Sequence, residues 1–192
     1  ETLIPSDTIT ETDMIRYWID APPAPQNDWV AREEPLEIRI QGRSIAVTMR
    51  TPGNDEELAC GFLLSEGLLH QREDVMEVAH CLSGENAILG NILNVFVSPH
   101  VRVNFDQLTR HVFASSSCGL CGKASIESVH QSFPPIDAIP PLDPDFIRSL
   151  PDKLLTPQAA FAKTGGLHAA ALFDKSGNLL ALREDVGRHN AV

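Results

Sequence analysis

The chain has few cysteines, no long apolar run and a deficit of positive charge. Four cysteines in 192 residues are too few to serve as a disulfide scaffold at this length. No stretch of eighteen uncharged apolar residues occurs, so no helical membrane span is expected. The N-terminus lacks the basic-then-apolar pattern of a secretory leader. Fifteen basic residues face 26 acidic ones, for a formal net charge of −11. That balance argues against generic binding to nucleic acid or to an anionic membrane surface. There is no second Cys-x-x-Cys and no paired-histidine motif to complete a zinc site around the one Cys-x-x-Cys that exists. His-x-Glu is also missing, which removes the water-activating residues of a zinc deaminase. Neither an internal repeat nor a low-complexity tract is present.

What remains is a globular composition, with 43% hydrophobic residues. Thr8 to Ile19 alternates loosely and predicts a first strand, after which Pro22, Pro23 and Pro25 interrupt regular structure. Leu36–Ile40 and Ile45–Met49 predict a β-hairpin turned at Gly42. Thr51-Pro52-Gly53-Asn54-Asp55-Glu56-Glu57 is a helix-start signal, and its acids read as capping and dipole complement. The helix carries Leu58, Phe62 and Leu63 at helical spacing and ends near Gly67. Strands are expected over 74–81 and, more firmly patterned, over 92–97. The stretch 105–113 is ambiguous, and 123–131 suits a helix. Five prolines over residues 133–144, Pro144 included, mark an irregular connection. A helix is expected over 152–163 with Pro151 near its start, then strands over 167–173 and 179–182 around the turn Asp174–Asn178. Alternating helices and strands predict an α/β sandwich.

Two constellations carry chemistry. The first is Ser117-Cys118-Gly119-Leu120-Cys121-Gly122-Lys123, a Cys-x-x-Cys that runs into the predicted helix at 123. The positive end of a helix dipole and the Lys123 cation favour a thiolate there. Such thiolates bind soft metals, exchange disulfides or accept a sulfur atom as a persulfide. A zinc site, a dithiol oxidoreductase and a sulfur carrier therefore all remain open on the residues alone. Cys60, in an apolar run, reads as a small packed hydrophobe; Cys81 has no functional reading of its own, although His80-Cys81 could contribute to a zinc site.

The second constellation pairs Thr164, Gly165, Gly166 and His168 with Arg183, Asp185, Arg188 and His189. Arginine forks suit phosphate or a guanine edge, the glycines let backbone amides approach an anion, and Asp185 offers an acceptor for a guanine amino group. Arg/Asp pairs also stitch loops together at little energetic consequence, so this grouping reads either as a nucleotide grip or as structure.

Several longer motifs carry a family resemblance: Glu33–Ile38, Thr51–Leu58, Gly61–Gly67, Ser116–Glu127, Thr164–Ala170 and Arg183–Val192. Taken in that order, the sequence resembles the formate dehydrogenase accessory sulfurtransferase family, FdhD. The resemblance implies a cytidine-deaminase-like α/β sandwich of a mixed sheet with flanking helices. It divides the chain into an N-terminal β lobe over residues 1–50 and an α/β core over 51–192, with the cysteine loop near 115–124. It implies a cytoplasmic homodimer that takes sulfur from a cysteine desulfurase. The sulfur then passes to the molybdenum of the bis-molybdopterin guanine dinucleotide cofactor, which serves formate dehydrogenase; a guanine nucleotide would mimic part of that ligand. By motif, Cys118 matches the persulfide-bearing position and Cys121 the second cysteine. Chains of the family continue past Arg188-His189-Asn190-Ala191-Val192, so a C-terminal cofactor-binding stretch is expected to be missing here. Alternatives are a cofactor-binding chaperone that moves no sulfur, and a zinc-stabilised binding module.

Overall fold

The structure, a computed structural model, describes residues 7–81, 90–105 and 141–192. Cys118 and Cys121 lie outside the described residues, as do the helix expected at 123–131 and most of the proline-rich connection.

Alternation of apolar side chains builds the main sheet. Strand β3 (Glu34–Ile40) turns its Leu36, Ile38 and Ile40 fully inward, and β4 (Arg43–Arg50) returns antiparallel to it. The turn between them holds Gln41 and Gly42 at positive φ, 47° and 82°. That is the backbone of a two-residue hairpin turn, whose twist matches the strands it joins. Further along come β5 (Val75–His80) and β6 (Ile92–Val97). β6 pairs parallel with β3 and antiparallel with β5, giving a four-stranded mixed sheet in the order β4-β3-β6-β5. Helix α1 (Asp55–Ser65) packs on this sheet and buries Ala59 and Leu63. Leu36, Ile38, Ile40, Leu63, Leu93 and Val95 are the largest fully buried side chains. Burying each such aliphatic group is worth about 1.5–3 kcal/mol, so the joint between sheet and α1 is the stable centre of this part of the chain.

A second group of elements lies beside it. β1 (Ile9–Arg16) pairs antiparallel with β2 (Ala24–Ala31), and β7 (His168–Phe173) with β8 (Leu179–Asp185). Helices α2 (Pro144–Leu155) and α3 (Ala159–Thr164) precede the β7–β8 ribbon. Ile9, Ala160 and Leu167 form a smaller core with Ala31, Phe161 and Val186 around them.

The mixed α/β class is as the sequence predicted. Four local expectations need correction. Of the prolines expected to interrupt regular structure, Pro22 and Pro23 do lie in the irregular stretch between β1 and β2, but Pro25 lies within β2, opposite Ile15. The helix expected over 152–163 is two helices. Pro144 stands in the first turn of α2 behind an Asp143 cap, which accepts a hydrogen bond from the Asp145 amide at 2.8 Å. Pro151 then falls inside α2 rather than at its start. Lastly, β8 runs three residues further than expected, to Asp185. The four-stranded sheet also joins β3 and β4, which precede residue 50, to β5 and β6, which follow it. None of the described helices is long and apolar enough to cross a membrane.

Candidate functional site

The site grows from the last residue of β4. Arg50 ends that strand with a side chain only 3% exposed. A guanidinium cannot be left in such a place unpaired, and the sequence supplies partners on three sides. Asp55, at the start of α1, accepts two parallel bonds from Arg50, at 2.9 and 2.8 Å. Glu34 and Asn91 each accept another at 3.4 Å. Glu34 also accepts from Arg32 at 2.6 Å. His80, at the end of β5, brings its Nε2 to 3.9 Å from the Asp55 carboxylate. These groups wall a cleft of about 940 Å³ that includes Pro52, Gly53, Asn54 and Glu56.

The acids that open α1 therefore do more than complement a helix dipole. Asn54 makes no side-chain cap bond. Asp55 is committed to Arg50, while Glu57 binds the Arg183 guanidinium through both oxygens, one of them at 2.6 Å. That ion pair holds the Glu57 carboxyl below its ordinary range against a smaller opposing effect of burial. Its contribution is present above the usual carboxylate pKa and fades as acid protonates Glu57. Both partners are substantially exposed, and solvent screening limits such pairs to about 0–1 kcal/mol. A Glu57→Gln, Arg183→Gln double-mutant cycle read by urea unfolding is expected to give a coupling no larger than that. A coupling of several kcal/mol would show that the pair is far better shielded than its exposure allows.

The turn Thr51–Asn54 is tied to the far end of the chain. Asp185 is buried and accepts from the Thr51 amide at 3.0 Å on one oxygen. Its other oxygen accepts from the Gly187 amide at 2.7 Å and from Asn190 Nδ2 at 3.0 Å. Asn190 Nδ2 also donates to the Met49 carbonyl at 2.7 Å, and the Val186 amide donates to Thr51 Oγ1 at 3.1 Å. Gly187 leaves room for these bonds: a Cβ there would sit 2.9 Å from Asn190 Nδ2 and 3.1 Å from its Cγ, so the Asn190 side chain would have to shift. Burial pushes the Asp185 carboxyl up, and the hydrogen bonds and the nearby Arg50 charge pull against that rise.

The residues predicted to grip a nucleotide separate into two kinds. The antiparallel register sets His168 opposite Asp185, so the loop 164–166 and the segment 186–190 leave the ribbon at the same end. That much of the grouping is brought together. Within it, Asp185 and Arg183 are bonded to the chain itself. Thr164 Oγ1 donates to the Ala160 carbonyl and accepts from the Gly166 amide, and Gly165, at φ 63°, ends α3 in the left-handed conformation. His168, Arg188 and His189 are exposed. Glu184, between the two arginines, accepts from the Ala160 and Phe161 amides at 3.1 and 2.7 Å. It caps α3 from another element, a role that Gln158 at the helix start does not fill. Sequence reasoning missed Arg50, Glu34 and Asn91, and read His80 only as a possible contributor to a zinc site. Arg50 was the one with a local signal, a basic residue five positions before Asp55 at the mouth of a helix.

Cys60 is half-buried in α1, and burial raises its thiol above the ordinary range. That is the setting of an inert thiol. Among the described residues, no group of three His, Cys, Asp or Glu side chains is placed to hold a metal ion.

Fold and site together define a mixed α/β protein with an ion-paired cleft, set where the β4–α1 turn meets the end of the β7–β8 ribbon. Comparison with known proteins gives the particular assignment. The FdhD/NarQ family profile matches residues 31–192, and the chain belongs to the FdhD/NarQ family. It is 44% identical over 191 residues to the sulfur carrier protein FdhD of Streptomyces coelicolor, covering 96% of this chain and 67% of that one. To the sulfur carrier protein FdhD of Mycobacterium tuberculosis it is 48% identical over 170 residues, covering 85% of this chain and 62% of that one. The chain thus spans roughly two thirds of the length of these relatives. A crystal structure from Desulfotalea psychrophila, named as that of a proposed formate dehydrogenase accessory protein, superposes with a TM-score of 0.69 at 22% identity. It covers 96% of this chain and 65% of that one, a likeness of fold.

Proposed function

We propose that this protein is a sulfur carrier acting in the maturation of formate dehydrogenase. The observation that carries the reading is the family match over residues 31–192, together with relatives at 44% and 48% identity that bear the name sulfur carrier protein. The Cys118 thiolate attacks the terminal sulfur of a persulfide on a cysteine desulfurase. A sulfur–sulfur bond forms at Cys118 as the desulfurase sulfur–sulfur bond breaks, and the desulfurase cysteine leaves as a thiolate. The persulfide on Cys118 then passes its outer sulfur to the molybdenum of bis-molybdopterin guanine dinucleotide, the substrate of the carrier. Cys121 attacks the inner sulfur, so that a Cys118–Cys121 disulfide forms as the persulfide sulfur–sulfur bond breaks and the outer sulfur leaves at the sulfide level; alternatively Cys121 only shelters the persulfide, and an external thiol reductant supplies those two electrons. The loop 164–166 and the exposed His168, Arg188 and His189 line the end of the ribbon at which the guanine nucleotide portion would be held. Asp185 ties that end to the Thr51 turn, and Arg183 ties the ribbon to Glu57 of α1. The acting species is taken as a cytoplasmic homodimer.

Mass spectrometry after incubation with a desulfurase and cysteine tests this. A thiol-reversible gain of one sulfur atom, about 32 Da, is expected on the native protein and absent from Cys118→Ala, since the thiolate is the nucleophile. An adduct retained in that variant removes Cys118 from the role. Normal maturation of formate dehydrogenase by the Cys118→Ala, Cys121→Ala double variant would mean that the protein holds the cofactor without moving sulfur.

A further inference from the structure

Strands β1 and β2 form an arm. Its root is fixed: Ile9 is buried against Ala160 and Leu167, and Ala31 packs beside them. There the Arg32 amide donates to the Thr8 carbonyl at 2.9 Å, and Thr8 Oγ1 donates to the Pro52 carbonyl at 3.2 Å. One step out, Lys163 lies 5.0 Å from the centroid of the Trp29 ring. The ladder then runs on to Arg16, opposite Ala24. At about 3.4 Å per residue, the eight-residue strands carry the turn roughly 25 Å from the root. Tyr17, Trp18 and Ile19 lie at that end, next to Ile15 of β1. Ile15 is 58% exposed, Tyr17 75%, Trp18 46% and Ile19 fully. Large apolar side chains gathered at one exposed tip mark an interaction surface, unlike those scattered singly over a monomer. Tyr and Trp are also the residues that most often anchor protein interfaces. Aromatic side chains bury roughly 150–250 Å² each, so the tip supplies a large share of the about 800 Å² that one partner gives to a standard interface.

We propose that the arm 9–31 docks the sulfur donor, the cysteine desulfurase, with Tyr17, Trp18 and Ile19 entering an apolar pocket whose rim carries lysine and arginine. The rim chemistry follows from the arm's charge. It holds four acids, Glu11, Asp13, Asp20 and Asp28, against one base, Arg16. Arg16 pairs with Asp28 at 3.5 Å, which leaves the exposed Glu11, Asp13 and Asp20 as the charge presented around the tip. Opposite charge on the partner steers encounter and selects against wrong partners. That argues against two other occupants. A second copy carries a net charge of −11 and the same acidic arm, and an anionic membrane surface repels acids. The donor is favoured by its chemistry. Thiol exchange passes sulfur directly from one cysteine to another, so the donor protein itself must dock. The family profile begins at residue 31, where the arm ends. An element outside that profile suits recognition of one donor surface rather than the chemistry the family shares. The inference rests on the sulfur-carrier reading.

Binding kinetics of the full chain on each purified cysteine desulfurase encoded in the same genome test it, with sulfur uptake read by mass in the same mixtures. The native chain is expected to bind one of them. Tyr17→Ser, Trp18→Ser and Ile19→Ser together should weaken that binding about tenfold or more. The same variant should slow sulfur uptake at low donor concentration and match the native chain at saturating donor. Asp13→Lys with Asp20→Lys should slow association about threefold or more at low salt, and much less at high salt. All five positions are exposed, so both variants should fold, and a far-ultraviolet spectrum and urea midpoint like those of the native protein confirm this. Binding to no desulfurase, binding unchanged in the tip variant, or association untouched by charge reversal overturns the proposal. So does self-association, or binding to phosphatidylcholine vesicles, that the native chain shows and the tip variant loses. Sulfur uptake keeps the two readings apart. Tip-dependent binding without any uptake removes the carrier reading and leaves the docking; uptake that the tip variant matches at every donor concentration removes the docking and leaves the carrier.

Discussion

Replacing Arg50 by Met is expected to cost about 3–5 kcal/mol, the toll of leaving buried carboxylates without their cation. In a chain of this length that lowers the melting temperature by roughly 6–20 °C. The argument rests on where the charges lie. Arg50 is 3% exposed and Asp55 10%, so neither recovers much hydration when the other is removed. Glu34 is better placed, because Arg32 still serves it at 2.6 Å. Met keeps most of the volume, so a cavity is not the cause. The discriminating measurement is a second variant, Arg50→Met with Asp55→Leu. Buried ion pairs are frequently no more stabilising than apolar groups of similar size, so the double variant should regain most of the loss in a urea titration. If Arg50→Met melts like the native protein, the guanidinium does not hold the cleft together and its burial needs another explanation.

The same contacts show what was legible in the sequence and what was not. The β3–β4 hairpin was readable because alternation and a turn glycine are local signals, and Gly42 does sit at positive φ. β6 and the start of α1 were readable for similar reasons. β2 was not: Ala24-Pro25-Gln26-Asn27-Asp28 has no strand pattern, and its extended shape comes from pairing with β1. The break between α2 and α3 was hidden because a proline inside a helix is read as a start, and because α3 is capped by Glu184, more than twenty positions away. The acids at 55–57 look like dipole complement in sequence. In the structure two of the three are bound to arginines, one of them 126 positions distant. In the candidate site, the sequence brought 164–168 and 183–189 into one group, and the ribbon register does place them at one end. It could not say which polar groups point inward, because that depends on the Thr51 turn, 134 positions from Asp185. The two cysteines that carry the proposed chemistry lie outside the described residues.

Asp185 offers the other large effect, and it separates the two readings of the second constellation. Asp185→Ala removes the acceptor for the Thr51 amide, the Gly187 amide and one Asn190 N–H. A buried donor left without a partner costs about 1–3 kcal/mol; with partial relaxation the three together are expected to cost about 3–5 kcal/mol. Asp185→Asn is the sharper test. An amide is nearly the same size and removes the buried charge whose desolvation raises the carboxyl's pKa, so charge alone would predict a gain. But both carboxylate oxygens are accepting. An amide must turn its NH₂ toward either Thr51 or the Gly187–Asn190 pair, setting donor against donor. Asp185→Asn is therefore expected to destabilise by about 1–3 kcal/mol, the cost of an unsatisfied buried donor. The measurement is equilibrium unfolding in urea at pH 7, beside binding of a guanine nucleotide by both the native protein and the Asp185→Asn variant. A variant as stable as the native chain but unable to bind nucleotide would return Asp185 to the role of a base-recognising acceptor. A destabilised Asp185→Asn fixes it as the knot that holds the end of β8 against the turn feeding α1.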